Sequence, residues 1–70
     1  MSRQCYKVLE YLKTHKEITT LEAVTYLGIT RLSARIWDLR QLGYAIGKKP
    51  RKVRDRDGVL TTVCAYYLEA

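Results

Sequence analysis

The chain has no phenylalanine, one histidine, one proline and two cysteines, and each scarcity removes a class of chemistry. His15, beside Lys16, has no cysteine or carboxylate at metal-ligand spacing, so neither a zinc site nor histidine-based catalysis is expected. A role at a helix C-terminus is expected for it instead. Cys5 and Cys64 fall on apolar faces of a helix and a strand and are expected to be small buried hydrophobes. The sequence has no glycine loop that could cradle a phosphate and no nucleophile elbow. We therefore expect a non-enzyme with no cofactor and no metal.

No segment reaches the roughly 20 consecutive apolar residues that a membrane span requires. The opening MSRQCYKVLEYLK alternates charged and apolar residues where a secretory signal would be continuously apolar, so a cytoplasmic protein without disulfides is expected. Repeats, linkers and low-complexity stretches are also missing, which leaves one domain over residues 1–70. A chain of this length supports one small core.

Acidic residues are in the minority. Thirteen lysines and arginines against seven aspartates and glutamates give a net charge of +6 and a pI near 9.6. That balance favours polyanionic partners, although charge alone does not separate nucleic acid from a membrane surface. Six tyrosines stand where phenylalanine would be expected, pointing to a small core whose aromatics keep one polar end in water.

Helical periodicity dominates the first two thirds. Cys5, Val8, Leu9 and Leu12 form one face of a predicted helix over residues 3–15. A polar break follows, and Ile18 is expected to add a short strand. Thr19 and Glu22 stand in the T-x-x-E spacing of a capping box. Leu21, Val24 and Leu27 then suggest an apolar stripe, ended by Gly28. Thr30 is placed to cap another helix, in which Leu32, Ile36, Leu39 and Leu42 recur at steps of three and four and Gly43 closes the run.

Beyond Gly43 the pattern changes to strands. Residues 44–53 and 59–68 read as two strands, and Asp57-Gly58 between them predicts a type I′ hairpin turn. Pro50 confines the first of these strands to a sheet edge or a bulge, because proline cannot donate to a ladder. The expected order is helix, short strand, helix, helix, strand, strand.

Leu27-Gly28-Ile29-Thr30 at the turn, the buried Leu32, Ile36 and Leu39, and Leu42-Gly43-Tyr44 before a strand resemble the helix-turn-helix of winged-helix DNA-binding domains. The resemblance covers nearly the whole chain and is greatest to the very small helix-turn-helix proteins of bacteriophage and prophage genomes. It implies an α+β winged helix-turn-helix fold, a three-helix core with a C-terminal β-hairpin wing. It also implies double-stranded DNA as the partner, with the wing beside the second helix of the motif.

Two sets of residues are candidates for DNA contact. The run Gly47–Arg56 holds six cations, Lys48, Lys49, Arg51, Lys52, Arg54 and Arg56, and one anion. That density suits phosphate contacts, and the alternative is a solvated loop that keeps the protein soluble. On the second helix the face opposite the buried stripe carries Thr30, Ala34, Trp37 and Gln41, flanked by Arg31, Ser33, Asp38 and Arg40. Arg31 and Ser33 are the leading base readers, because recognition helices present their N-terminal residues to the major groove. Arg35 is equally compatible with DNA contact and with an internal pair to Asp38 or Glu22. Trp37 can pack against its own chain, stack on a sugar or thymine methyl, or anchor a protein interface.

Two functional classes follow. The first is a sequence-specific DNA binder of phage or mobile-element type, either a transcriptional regulator or an excisionase-like architectural factor that assists a recombinase. As the resemblance implies, the former favours a homodimer on a palindrome and the latter a tandem assembly on direct repeats. No dimerisation helix is expected beyond the hairpin. The second class is a winged-helix interaction module that docks on a host or phage protein, with Trp37 and exposed tyrosines as anchors.

Overall fold

The computed structural model describes residues 1–69, and its elements follow the expected order. Helix α1 (Arg3–His15) is followed by strand β1 (Glu17–Thr19) and helix α2 (Thr20–Glu22), which continues as a π-helical turn over Ala23–Leu27. Helix α3 (Leu32–Gln41) precedes the hairpin of β2 (Ile46–Arg54) and β3 (Leu60–Leu68). The strands form one antiparallel sheet in the order β1-β3-β2. Pro50 lies in β2, at the sheet edge, where a missing N–H costs no ladder bond to a further strand.

Local chemistry starts α1 and α2 and stops α1, the π-helical turn and α3. The Ser2 hydroxyl accepts from the Cys5 N–H at 3.1 Å at the head of α1. Lys16 terminates that helix with φ 76°, and its N–H donates to the Leu12 carbonyl at 2.9 Å. The capping box forms as the spacing predicts: the Glu22 N–H donates to Thr19 Oγ1 at 3.2 Å, and the Thr19 N–H donates to Glu22 Oε1 at 2.9 Å. Gly28, at φ 69°, ends the π-helical turn, and Gly43, at φ 102°, ends α3. Around Gly43 the Tyr44 N–H donates to the Leu39 carbonyl and the Gly43 N–H to that of Arg40, both at 3.1 Å, the paired bonds of a Schellman motif.

Cys5, Val8, Leu9 and Leu12 of α1 meet Ile18, Ala23 and Ile29, then Leu32, Ile36 and Leu39 of α3, with Ile46 from the sheet. Tyr11, Leu27, Tyr44, Tyr66 and Leu68 close the edges of this cluster.

Several details depart from the sequence pattern. Leu21 is 74% exposed and Val24 is also exposed, whereas Ala23 is fully buried. The π-helical turn carries Ala23 into the core and Leu27 against its edge. Leu42 is exposed because it lies past the last turn of α3. Arg31, not Thr30, occupies the N-cap position of α3, and no side chain caps there. His15 is exposed and stacks on Tyr11 at 4.1 Å between ring centroids, leaving the helix cap to Lys16. Cys64 is exposed on the free part of the hairpin, so only Cys5 behaves as a core residue.

The hairpin tip also differs. Gly58 alone in the loop has positive φ, and its N–H donates to the Asp55 carbonyl at 3.0 Å. A turn over residues 55–58 ending in left-handed Gly58 therefore replaces the type I′ turn. Asp55 decides the matter, because its Oδ1 accepts from the N–H groups of both Asp57 and Val59 at 2.9 Å.

Candidate nucleic-acid interface

β1 pairs only with residues 65–67 of β3, so the outer part of the hairpin, from Pro50 to Cys64, is a free two-stranded ribbon. At about 3.4 Å per residue the five residues from Pro50 to Arg54 extend it by about 17 Å. This is the wing, and strand alternation divides its cations between two faces.

On one face, Lys49 and Arg51 are already paired. Lys49 Nζ lies 2.9 Å from Glu17 Oε2, and Arg51 Nη1 donates to Glu17 Oε1 at 2.9 Å. Arg51 also reaches Glu22, with Nη1 and Nη2 each 3.4 Å from a carboxylate oxygen. The network ties the wing to β1 and to the head of α2. It also orders the carboxylates: hydrogen bonds from Lys49 and Arg51 hold the Glu17 carboxyl below its ordinary range. At Glu22 partial burial pushes upward, but the Thr19 N–H and Arg51 together outweigh it and the net shift is downward. Arg51 is raised above its ordinary value by its bonds to Glu17, against some desolvation. Lys49 in addition sits 5.4 Å above the Tyr67 ring, which lies over Gly47. A Cβ on Gly47 would come within 2.6 Å of that ring and 2.7 Å of Glu69 Oε1, so both side-chain ends would have to move to admit one.

The other face carries Lys48, Lys52 and Arg54, all exposed, with Arg56 exposed at the tip. Arg54 Nη1 donates to the Gly58 carbonyl at 2.9 Å and braces the loop. Among the described residues Lys48, Lys52 and Arg56 have no carboxylate partner.

The candidates on α3 divide similarly. Arg35 Nη1 donates to Gln4 Oε1 at 3.0 Å, and its Nε lies 3.1 Å from Asp38 Oδ2, joining α3 to the first turn of α1. Gln4 was not among the residues singled out from the sequence, because its partner is 31 positions away. Arg40 donates from Nε and Nη2 to the Ile46 carbonyl at 2.9 and 2.7 Å and fastens the end of α3 to the start of β2. Thr30, Arg31, Ser33 and Gln41 are exposed, and Ala34 is half-buried. Trp37 is 61% exposed and does not pack into its own chain.

A helix-turn-helix on a three-helix core, followed by a projecting antiparallel hairpin, defines a winged helix-turn-helix protein. Comparison with known families agrees: residues 3–70 match the family described as the winged helix-turn-helix domain, and the chain belongs to it. Neither the curated proteins nor the solved structures contain a match. Among the described residues no helix is long and apolar enough to cross a membrane, and no three histidine, cysteine or acidic side chains are grouped to hold a metal.

Proposed function

We propose that the protein binds double-stranded DNA sequence-specifically, with α3 in the major groove and the wing following the phosphate backbone or entering the minor groove. The observation that carries this reading is where a winged helix-turn-helix fold puts exposed cations: Arg31 stands at the head of α3, Lys48 and Lys52 on one face of the projecting wing and Arg56 at its tip, and among the described residues none of the four has a carboxylate partner.

In this reading Arg31 and Ser33 meet base edges at the N-terminal end of α3, with Thr30, Ala34, Trp37 and Gln41 along the same exposed side. Lys48, Lys52, Arg54 and Arg56 meet phosphates. Arg35, Arg40, Lys49 and Arg51 act mainly by holding α3 and the wing in place. The small size and the basic wing suit either a phage or mobile-element regulator or an excisionase-like architectural factor in the host cytoplasm.

A second reading, a module that docks on a recombinase or host protein, draws support from Tyr6 and Tyr26. They are 58% and 68% exposed and flank Tyr11 and Leu27 in a shallow apolar groove on the α1–α2 side. Random-sequence duplex selection, followed by titration of the recovered duplex and a scrambled control at two salt concentrations, tests both. A recovered motif bound more tightly than the control supports the first reading, and its symmetry separates a palindromic dimer from tandem monomers. No motif, with binding lost at physiological salt, favours the second.

A further inference from the structure

We infer that α3 reads thymine C5-methyl groups, with Trp37 as the specificity-determining residue and Ala34 beside it. The inference rests on the DNA-binding reading and specifies what the helix recognises.

The argument starts from what the exposed side of α3 no longer offers. Arg35 is taken up by Gln4 and Asp38, and Arg40 by the Ile46 carbonyl. Asp38, the one carboxylate on the helix and the group suited to a cytosine amino donor, is held against Arg35 at 3.1 Å. Arg35, Asp38 and Arg40 are thereby withdrawn from hydrogen-bonding readout on the two flanks, which leaves that role to Arg31 and Ser33 at the helix head. Between those flanks lie Ala34 and Trp37, three residues apart and so adjacent on the helix surface.

Trp37 is 61% exposed, although the core, with its buried Leu32, Ile36 and Leu39, takes three other residues of the same helix. An indole left in water on the reading surface needs an apolar counterpart, because removing that surface from water is where its free energy lies. In the major groove the apolar group presented by a base pair is the thymine C5-methyl. A short Ala34 beside the indole leaves room for the groove floor to approach, and the exposed amide of Gln41, one turn on, is suited to the adenine of the same pair.

The test uses the duplex recovered by random-sequence selection, resynthesised with deoxyuridine in place of each thymidine, which deletes only the C5-methyl. Wild-type affinity should fall about fourfold per contacted methyl, the equivalent of ~0.8 kcal/mol for one buried carbon group. Trp37→Ala should bind the thymidine and deoxyuridine duplexes alike. Because Trp37 is the only tryptophan, its emission should shift on the selected duplex and stay unshifted on a scrambled one. Specific binding with equal affinity for the two duplexes would overturn the inference while leaving the DNA-binding reading intact. Absence of any selected motif would overturn both and direct Trp37 to a protein partner.

Discussion

The division of wing cations by face leads to a quantitative prediction about salt. Each phosphate contact contributes about −0.9 to the slope of log affinity against log salt. The three contacts proposed for Lys48, Lys52 and Arg56 would therefore contribute about −2.7, and a fourfold rise in salt, from about 50 to 200 mM, should weaken binding about 40-fold through these residues. Replacing all three by alanine should remove that share of the dependence and weaken specific and scrambled duplexes equally. Replacing Lys49 and Arg51 removes two formal charges from the same ten-residue run, yet both already face Glu17 or Glu22 at 2.9–3.4 Å. Their loss should leave the slope within about one unit of wild type. It should lower thermal stability only modestly, since partly exposed ion pairs contribute about 0–1 kcal/mol each. Fluorescence anisotropy titrations at four or five salt concentrations resolve the difference. A slope change of about 1.8 for the Lys49 and Arg51 variant, the full value for two phosphate contacts, would refute the division, because DNA would then be recruiting both residues out of their pairs.

Other perturbations test the frame around the site. Ile36→Ala should destabilise the fold by about 2–5 kcal/mol in denaturant titration, because Ile36 is buried between α1 and the sheet and leaves a cavity. Lys16→Gly should stabilise it by about 0.5–1 kcal/mol, since φ 76° strains a residue with a Cβ, and the gain should appear as a higher melting temperature. For pH, the Glu17 and Glu22 carboxyls are lower in the folded chain than in the unfolded one. Their contribution is therefore complete above the unfolded carboxylate range, near pH 4.3, and is lost as pH falls through the folded values. Thermal melts of Glu17→Gln/Glu22→Gln should accordingly show a shallower loss of stability in acid than wild type, and an unchanged acid limb would place that loss elsewhere.

Features governed by neighbours in sequence are legible in the sequence itself. The face of α1, the capping box of Thr19 and Glu22, the glycine terminators and the edge placement of Pro50 all follow from bonds or exclusions within a few residues. Features set by tertiary packing are not. Leu21, Val24 and Leu27 have a helical spacing, but the π-helical turn changes the phase, and the fully buried position belongs to Ala23, the smallest candidate. The spacing of Leu42 continues the stripe of α3 by one step, yet the Schellman motif at Gly43 ends the helix first. At the hairpin tip Asp-Gly chemistry predicted one turn, and the carboxylate two residues earlier imposed another.

The candidate site shows the same boundary more sharply, because charge is a property of composition whereas available charge is a property of geometry. Counting along residues 47–56 gives six cations, and nothing in that count distinguishes Lys48 from Lys49. Distinguishing them requires knowing that β1 lies on the far side of β3, which brings Glu17 to the Lys49 face, and that Glu22 arrives there through the capping box. Glu22 thus has two tasks: it starts α2 by accepting the Thr19 N–H, and it anchors the wing by accepting from Arg51. A helix cap and a wing brace that share one carboxylate couple the helix-turn-helix to the hairpin. A change at position 22 should therefore reach both halves of the proposed DNA interface from a residue assigned no contact with DNA.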